Sequence, residues 1–202
     1  KFFWDERAVS LENQTTQPIA DHKEMGFSGQ TGRAGIAALL AKLQATDYYN
    51  ELFKFTYGDI TVTEPRLQEC LGQFIRSIQS FDAKYDVGRA QVNNDRQPFP
   101  NFTAQENTGK DLFLAPPVFD GNSSRIGGGL GCNGCHNAPE FDIDPNTRNN
   151  GVIALAVGAG QDVNVTRAPT LRDLVNNRGE LNTRLMHTAG IRDLATAVSH
   201  YG

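Results

Sequence analysis

Apolar residues recur with a helical period at several places along the chain. The strongest pattern, over residues 64–80, places apolar side chains at i, i+4, i+7, i+8 and i+11: Leu67, Leu71, Phe74, Ile75 and Ile78. This spacing predicts a helix with one apolar face, and Pro65 suits its first turn. Residues 32–44, rich in alanine and leucine, and residues 191–201 are also predicted to be helical.

The remaining segments are predicted to be loops, with one further helix. Thr103 and Glu106 are spaced as in a capping box, which predicts a helix start at Thr103. Residues 115–131 are rich in proline and glycine, and residues 137–165 lack periodicity. With no strand-rich region in view, the pattern predicts an all-α fold with long irregular loops.

Composition narrows the class of protein without identifying it. The 202 residues are 39% hydrophobic and 21% charged, with a net charge of −4, which is ordinary for a globular protein and gives no sign of a nucleic-acid partner. The longest apolar run, about residues 152–160, is too short for a membrane span, which needs about 20 residues.

Two of the three cysteines belong to the string Cys132-Asn133-Gly134-Cys135-His136. Thiols at this spacing can each bond to a haem vinyl group, and the histidine that follows can ligate the iron, so the string predicts attachment of haem c. A redox CxxC would need a βαβ context, and a zinc site would need a second ligand pair. Neither is evident in the sequence.

Haem iron also requires either a second axial ligand or an open face. An open face favours peroxide or dioxygen chemistry, and a filled face favours electron transfer. The residues that could fill it are Met186, His187, His200 and Tyr201. Spacing alone does not choose among them.

Several further strings, in order and spacing, make the chain resemble the bacterial di-haem cytochrome c peroxidases, together with the related di-haem enzyme that matures methylamine dehydrogenase. They surround the CNGCH string and run through nearly the whole chain: Phe3-Trp4-Asp5-Glu6-Arg7-Ala8, Leu11-Glu12-Asn13-Gln14, Gln17-Pro18-Ile19, Glu24-Met25-Gly26, Phe74-Ile75-Arg76-Ser77, residues 80–86, Gly109-Lys110-Asp111-Leu112-Phe113, Arg167-Ala168-Pro169-Thr170-Leu171-Arg172 and Met186-His187.

The resemblance implies two cytochrome c-like haem domains with calcium between them. The single CxxCH matches the second domain, so residues 1–86 are expected to be the rear part of the first, peroxidatic domain and residues 87–202 the domain of the second haem. Because the sequence begins without Met and ends inside a predicted helix, we expect an internal portion of a longer protein, with the first haem motif upstream. Asn182 and Arg184 match positions whose backbone carbonyls bind calcium in the family.

The resemblance also implies roles for residues before the haem motif. Trp4 matches a tryptophan between the two haems, where it would carry electrons. Gln14, Pro18 and Glu24 match residues lining the distal pocket of the reactive haem. Glu24 suits the transfer of a proton between the two oxygens of peroxide, which cleavage of the O–O bond requires.

The family's second ligand to the electron-transfer haem lies at Tyr201. The residue there is methionine in many peroxidases and tyrosine in the maturation enzyme, so the resemblance favours His136 and Tyr201 as axial ligands. Met186 matches a methionine that is not a ligand in the family and is the alternative. A phenolate stabilises ferric iron, whereas a thioether raises the potential.

The resemblance implies an oxidoreductase that reduces hydrogen peroxide to water. Its electrons would come from a small donor protein, such as a cytochrome c or a cupredoxin. One alternative is a maturation-type enzyme that oxidises a protein substrate through a high-valent haem. Another is a mono-haem electron carrier without peroxidase activity. A periplasmic location and a homodimer are further expectations.

Overall fold

The computed structural model describes residues 2–142, 152 and 167–201. Much of the predicted loop over 137–165 therefore lies outside the described residues. The chain divides into two compact units, Lys1–Gln79 and Ser80–Gly202. Helices dominate the described part: α1 Leu11–Thr15, α2 Gln17–Ala20, α3 Ile36–Gln44, α4 Asp47–Tyr57, α5 Glu64–Ser77, α6 Lys84–Arg89, α7 Ala104–Leu114 and α8 Leu194–Ser199.

The all-α prediction is confirmed only in its main part, because the region predicted as a proline- and glycine-rich loop contains two strands. Strands β1 (Pro117–Phe119) and β2 (Arg125–Gly128) pair antiparallel, with Val118 opposite Gly127. Short strands of this kind carry too few alternating positions to show a period of two. None of the helices described is long and apolar enough to cross a membrane.

Helix α5 confirms the strongest prediction, with slightly narrower bounds. The Thr63 side chain accepts a hydrogen bond from the Arg66 N–H, and Pro65 lies in the first turn, as expected for a capped helix start. The helix ends at Ser77, because Ile78 already has extended backbone angles. The predicted helices over 32–44 and 191–201 are likewise observed, as α3 and α8.

A polar stripe of α5, distinct from the predicted apolar positions, contacts α1 and its C-terminal cap. Gln68 Nε2 donates to Thr16 Oγ1 at 2.8 Å, and Arg76 Nη1 lies 2.6 Å from Glu12 Oε1. Gly72, one turn from each of these α5 residues, is buried between them. Residues at i, i+4 and i+8 share one face of a helix. Helix α5 therefore meets α1 through a polar stripe, while Phe74 and Ile78 stay 65% and 66% exposed.

The unit of residues 80–202 is built around an aromatic cluster. Phe99 is only 1% exposed, and its ring centroid lies 5.3 Å from that of Tyr85 and 5.1 Å from that of Phe102. Tyr85 also contacts Phe141 edge-on at 4.7 Å, and Phe113 lies 5.9 Å from Phe141 on another side. Aromatic pairs at these distances and tilts are favourable. The cluster therefore anchors Phe141, just after the predicted haem motif.

Helix α7 leads directly to the predicted haem motif. The capping box predicted at its start is confirmed, since Thr103 Oγ1 accepts from the Glu106 N–H and Glu106 Oε2 accepts from the Thr103 N–H. The Glu106 carboxylate also forms an ion pair with Lys84, with Oε1 2.6 Å from Nζ. These contacts, with Lys84 as the largest cause, lower the pKa of Glu106 to about 2. The strand pair follows α7, and the haem motif follows the strands.

Candidate haem-attachment site

The CNGCH string folds as one tight turn. Residues Cys132–Gly134 form a 3-10 helix that follows Gly131, whose φ is +70°. The His136 N–H donates to the Cys132 carbonyl at 2.9 Å, so both thiols and the imidazole belong to a single turn of backbone. Both cysteines are free thiols, with Cys132 half-buried and Cys135 exposed.

Glycines bring this turn against the end of α7. The Gly129 N–H donates to the Pro116 carbonyl at 3.1 Å, and the Gly131 N–H donates to the Ala115 carbonyl at 3.2 Å. A Cβ atom on Gly129 would lie 2.0 Å from the Leu112 carbonyl oxygen. Only glycine permits so close an approach of two backbone segments, and it fixes where the turn begins.

The imidazole of His136 is held by a backbone carbonyl. Its Nδ1 lies 3.0 Å from the Phe141 oxygen, and a carbonyl can only accept, so Nδ1 carries the proton in this contact. A histidine that ligates a metal through Nε2 is commonly oriented by such a bond. Burial is the main cause that lowers the pKa of His136, against the opposing effects of the Phe141 and Pro169 carbonyls. A neutral imidazole is the form that ligates haem iron.

These donors fit haem c better than a bare metal ion. Two uncrosslinked thiols and a neutral imidazole lie on one turn, as covalent haem attachment requires. A structural zinc site needs four ligands. Among residues 2–142, 152 and 167–201, no group of three or more His, Cys, Asp or Glu side chains could hold a metal ion.

The two candidates for the far-side ligand occupy different local structures. Tyr201 follows α8, with its N–H donating to the Val198 carbonyl at 3.1 Å and its ring edge-on to His200 at 4.9 Å. Met186 has a φ of +63° and lies in a turn closed by the bridge between Leu185 and Ile191. The choice of Tyr201 over Met186 stays a prediction.

The residues predicted for the distal pocket lie within a short stretch of the first unit. Gln14 is in α1 and Pro18 in the first turn of α2. Glu24 is exposed, in a turn that folds back so that the Met25 N–H donates to the Pro18 carbonyl at 3.2 Å. The structure thus brings Pro18 and the Glu24 turn together, and their roles stay predictions.

Trp4 lies in a tight turn at the beginning of the same unit. Phe2 and Ala8 form an antiparallel bridge, and the Glu6 N–H donates to the Phe3 carbonyl at 3.2 Å. The Arg7 guanidinium lies 3.6 Å from the centroid of the Phe3 ring. Trp4 itself is 36% exposed. Its predicted role in electron transfer between haems is untested.

The predicted calcium-binding carbonyls lie in a hydrogen-bonded loop. The Asn182 N–H donates to the Leu174 carbonyl at 3.0 Å, and its side-chain Nδ2 donates to the Asp173 carbonyl. Arg184 follows two residues later and is exposed. Calcium binding by the carbonyls of Asn182 and Arg184 stays a prediction.

No role was predicted from the sequence for one pair of residues near the haem turn. Arg172 makes a two-point ion pair with Asp86, with Nη2 at 2.7 Å from Oδ1 and Nη1 at 2.9 Å from Oδ2. Both residues belong to strings that carry the family resemblance, and this membership was the only sign in the sequence that they matter. Their 86-residue separation along the chain hid the pairing.

Comparison with known proteins agrees with the motifs. The family of di-haem cytochrome c peroxidases has a model that matches residues 1–94. The methylamine utilization protein MauG of Methylophilus methylotrophus is 28% identical over 98% of this chain, and the cytochrome c551 peroxidase of Nitrosomonas europaea is 28% identical over 99%. These matches confirm the resemblance to that family. The chain spans about half the length of the two relatives, 52% and 54%.

Proposed function

We propose that the protein is a di-haem cytochrome c peroxidase-like oxidoreductase that reduces hydrogen peroxide to water. In this assignment the chain holds the electron-transfer haem and part of the distal pocket of the reactive haem. The observation that carries the proposal is the CNGCH turn, in which a backbone carbonyl orients the imidazole of His136. Two relatives whose matches span nearly the whole chain give that turn its context.

Each part of the chain has a task in this proposal. A haem bound at Cys132 and Cys135 would supply one-electron redox chemistry. His136 and Tyr201 are the residues that would ligate it. Trp4 carries electrons towards the reactive haem. The Glu24 carboxylate would move a proton between the two oxygens of bound peroxide, and Gln14 and Pro18 would line the same pocket.

The experiment is a peroxide turnover assay on the haem-loaded protein with a reduced small cytochrome c or cupredoxin as donor. Glu24→Gln should lower turnover at least 100-fold, in the range that a general acid-base contributes, and Glu51→Gln should leave it unchanged. Glu51 is a suitable control because it is an exposed glutamate on α4. Equal turnover by both variants would remove the role assigned to Glu24.

A maturation-type enzyme is the second candidate, and the tyrosine at position 201 favours it. A tyrosine ligand would stabilise ferric iron and make this haem a poor acceptor of electrons from a conventional donor. One of the two relatives is named as the methylamine utilization protein MauG. A near-infrared charge-transfer band of the methionine type in the ferric protein would exclude Tyr201 ligation, and with it the main support for this candidate.

A count of haems distinguishes both enzymes from a simple electron carrier. Two haems per polypeptide, measured by the pyridine haemochrome assay on the natural protein, are expected for either enzyme. One haem would leave the mono-haem carrier. A periplasmic location is part of the proposal, since haem c is attached outside the bacterial cytoplasm in the family. A homodimer and a bound calcium are further parts of the proposal, carried over from the same resemblance.

A further inference from the structure

The side chain of Arg172 makes several polar contacts near the haem turn. It is 9% exposed. Besides the two-point contact with Asp86, its Nε and Nη2 donate to the Pro139 carbonyl at 2.8 Å and 2.6 Å, and its Nη1 donates to the Ser80 carbonyl. The fork of the guanidinium is therefore used on every edge, which a lysine ammonium cannot reproduce.

Two aromatic rings lie beside the same guanidinium. Its central carbon is 4.3 Å from the centroid of Phe81 and 5.6 Å from that of Phe141. A guanidinium within about 6 Å of a ring centroid is attracted by the ring. Arg172 thus contacts both the side chain of Phe141 and the backbone two residues before it.

The three residues 170–172 hold three consecutive carbonyls of the segment that follows the haem motif. Arg172 donates to Pro139, the Thr170 hydroxyl donates to Glu140, and the Leu171 N–H donates to Phe141 at 3.2 Å. The Phe141 oxygen is also the acceptor for Nδ1 of His136 at 3.0 Å. The position of this acceptor therefore depends on the segment that Arg172 anchors.

We propose that the Asp86–Arg172 pair is a positioning device that holds the Phe141 carbonyl on Nδ1 of His136 and thereby sets the reduction potential of the haem. The proposal rests on the haem site proposed above. A strong Nδ1–H···O=C bond orients the ring and makes Nε2 a more basic ligand, and a more basic ligand stabilises ferric iron. A looser carbonyl should therefore raise the potential.

The test uses the haem-loaded protein and Arg172→Lys, which keeps the positive charge and removes the fork. We expect the midpoint potential of the haem to move to a more positive value, and the g-values of the low-spin ferric spectrum to change as the ring orientation relaxes. Arg178→Lys is the matched control, because Arg178 is exposed in the same unit. It should leave both readouts at the wild-type values.

Asp86→Asn provides a second variant in case Arg172→Lys does not accumulate. It retains the shape of Asp86 but weakens the anchor, and it should shift the g-values in the same direction as Arg172→Lys. Wild-type potential and g-values in either variant, with a lowered melting temperature, would assign the pair a structural role only and overturn the inference. Wild-type protein without covalent haem would instead overturn the proposed function itself.

Discussion

In residues 80–202, contacts between residues far apart in sequence hold the haem-attachment turn, whereas in residues 1–79 the segment of predicted distal-pocket residues is closed by local turns. Phe141, five residues after His136, is held by residues 170–172 and by Tyr85. The Glu24 turn is closed by hydrogen bonds to Pro18 and Asp21, only a few residues back.

The difference teaches where each segment is sensitive to change. A local turn forms from its own sequence, and its opening costs little free energy. The haem turn depends on the integrity of its whole unit, so distant substitutions should alter it. Residues that act through a shared network are also expected to couple energetically.

The largest expected effect is the loss of covalent haem. Replacing both Cys132 and Cys135 with alanine should abolish it, because the thioether bonds need both sulfurs. Cys70→Ala, in α5 of the first unit, should keep the full haem mass. Intact-protein mass spectrometry after denaturation distinguishes the two results. Haem lost on substitution of Cys70 would contradict the assignment of haem attachment to Cys132 and Cys135.

The next largest effect is on the free energy of unfolding, when the Asp86–Arg172 and Glu12–Arg76 ion pairs are broken in turn. Asp86→Asn should reduce the free energy of unfolding by about 3 kcal/mol, because it leaves a largely buried guanidinium without its counter-charge. Glu12→Gln breaks the pair with Arg76, whose side chains are 30% and 46% exposed, and should cost much less. Urea unfolding of both variants is the measurement. Equal losses would show that the first unit depends on its contacts just as strongly.

Helical glycines give a third comparison. A Cβ atom on Gly88 would lie 2.2 Å from Asn101 Oδ1 and 2.7 Å from Phe99 Cδ2, so Gly88→Ala should destabilise by about 1–3 kcal/mol. A Cβ atom on Gly72 would lie 3.0 Å from the Glu12 carboxylate. That carboxylate is at the end of a flexible side chain and can move away. Gly72→Ala should therefore be near neutral.

Gly109→Ala is the control for this comparison. A Cβ atom there would meet no atom within 4 Å, so alanine should stabilise α7 by about 0.5–1 kcal/mol through its higher helix propensity. Thermal unfolding of the three variants gives the order directly. A stable Gly88→Ala variant would mean that the packing around Phe99 is looser than the distances indicate.

The smallest expected effect is the change in the free energy of unfolding at acidic pH. Arg172 is the main cause that lowers the pKa of Asp86, so the folded protein binds this proton less readily than the unfolded chain. The stabilisation is present above the unfolded pKa, about 4, and is lost as the pH falls through the folded value. The difference in unfolding free energy between the wild type and Asp86→Asn should therefore shrink below about pH 4.

The same titration applies to Glu12, whose pKa is lowered mainly by its hydrogen bond with Arg76. Because this pair is more exposed, added salt should weaken it more than the Asp86–Arg172 pair. Unfolding measured at low and high ionic strength, at pH 7 and pH 3, separates the two. A larger salt dependence for Asp86 would reverse the comparison.

Local signals accounted for most of what the sequence predicted correctly. The capping box at Thr103 and the start of α5 each depend on a few neighbouring residues, and both are observed. Helix α4 was not predicted, although Tyr49, Leu52, Phe53 and Tyr57 recur at helical spacing. Most of these residues are aromatic, and aromatic residues have lower helix propensity than leucine or alanine. The polar contacts of α5 with α1 were also missed, since a stripe of Gln68, Gly72 and Arg76 has no hydrophobic signature.

The pairing of Asp86 with Arg172 lies beyond any local signal. Each residue alone is an ordinary charged side chain, and only the fold brings them together. The CNGCH turn was predictable because all the residues that define haem attachment are five consecutive residues of the sequence. The acceptor on Phe141 that orients His136 was not, because a backbone carbonyl exists at every position and only the fold selects one.

The glycines before the haem turn have a consequence for sequence variation among relatives. The four glycines around Leu130 are not equivalent, because a Cβ atom on Gly129 would lie 2.0 Å from a carbonyl oxygen and one on Gly127 would meet nothing within 4 Å. We expect an alignment of relatives to show position 129 invariant and position 127 freely substituted. The haem motif would then extend, as an evolutionary unit, at least three residues upstream of its first cysteine.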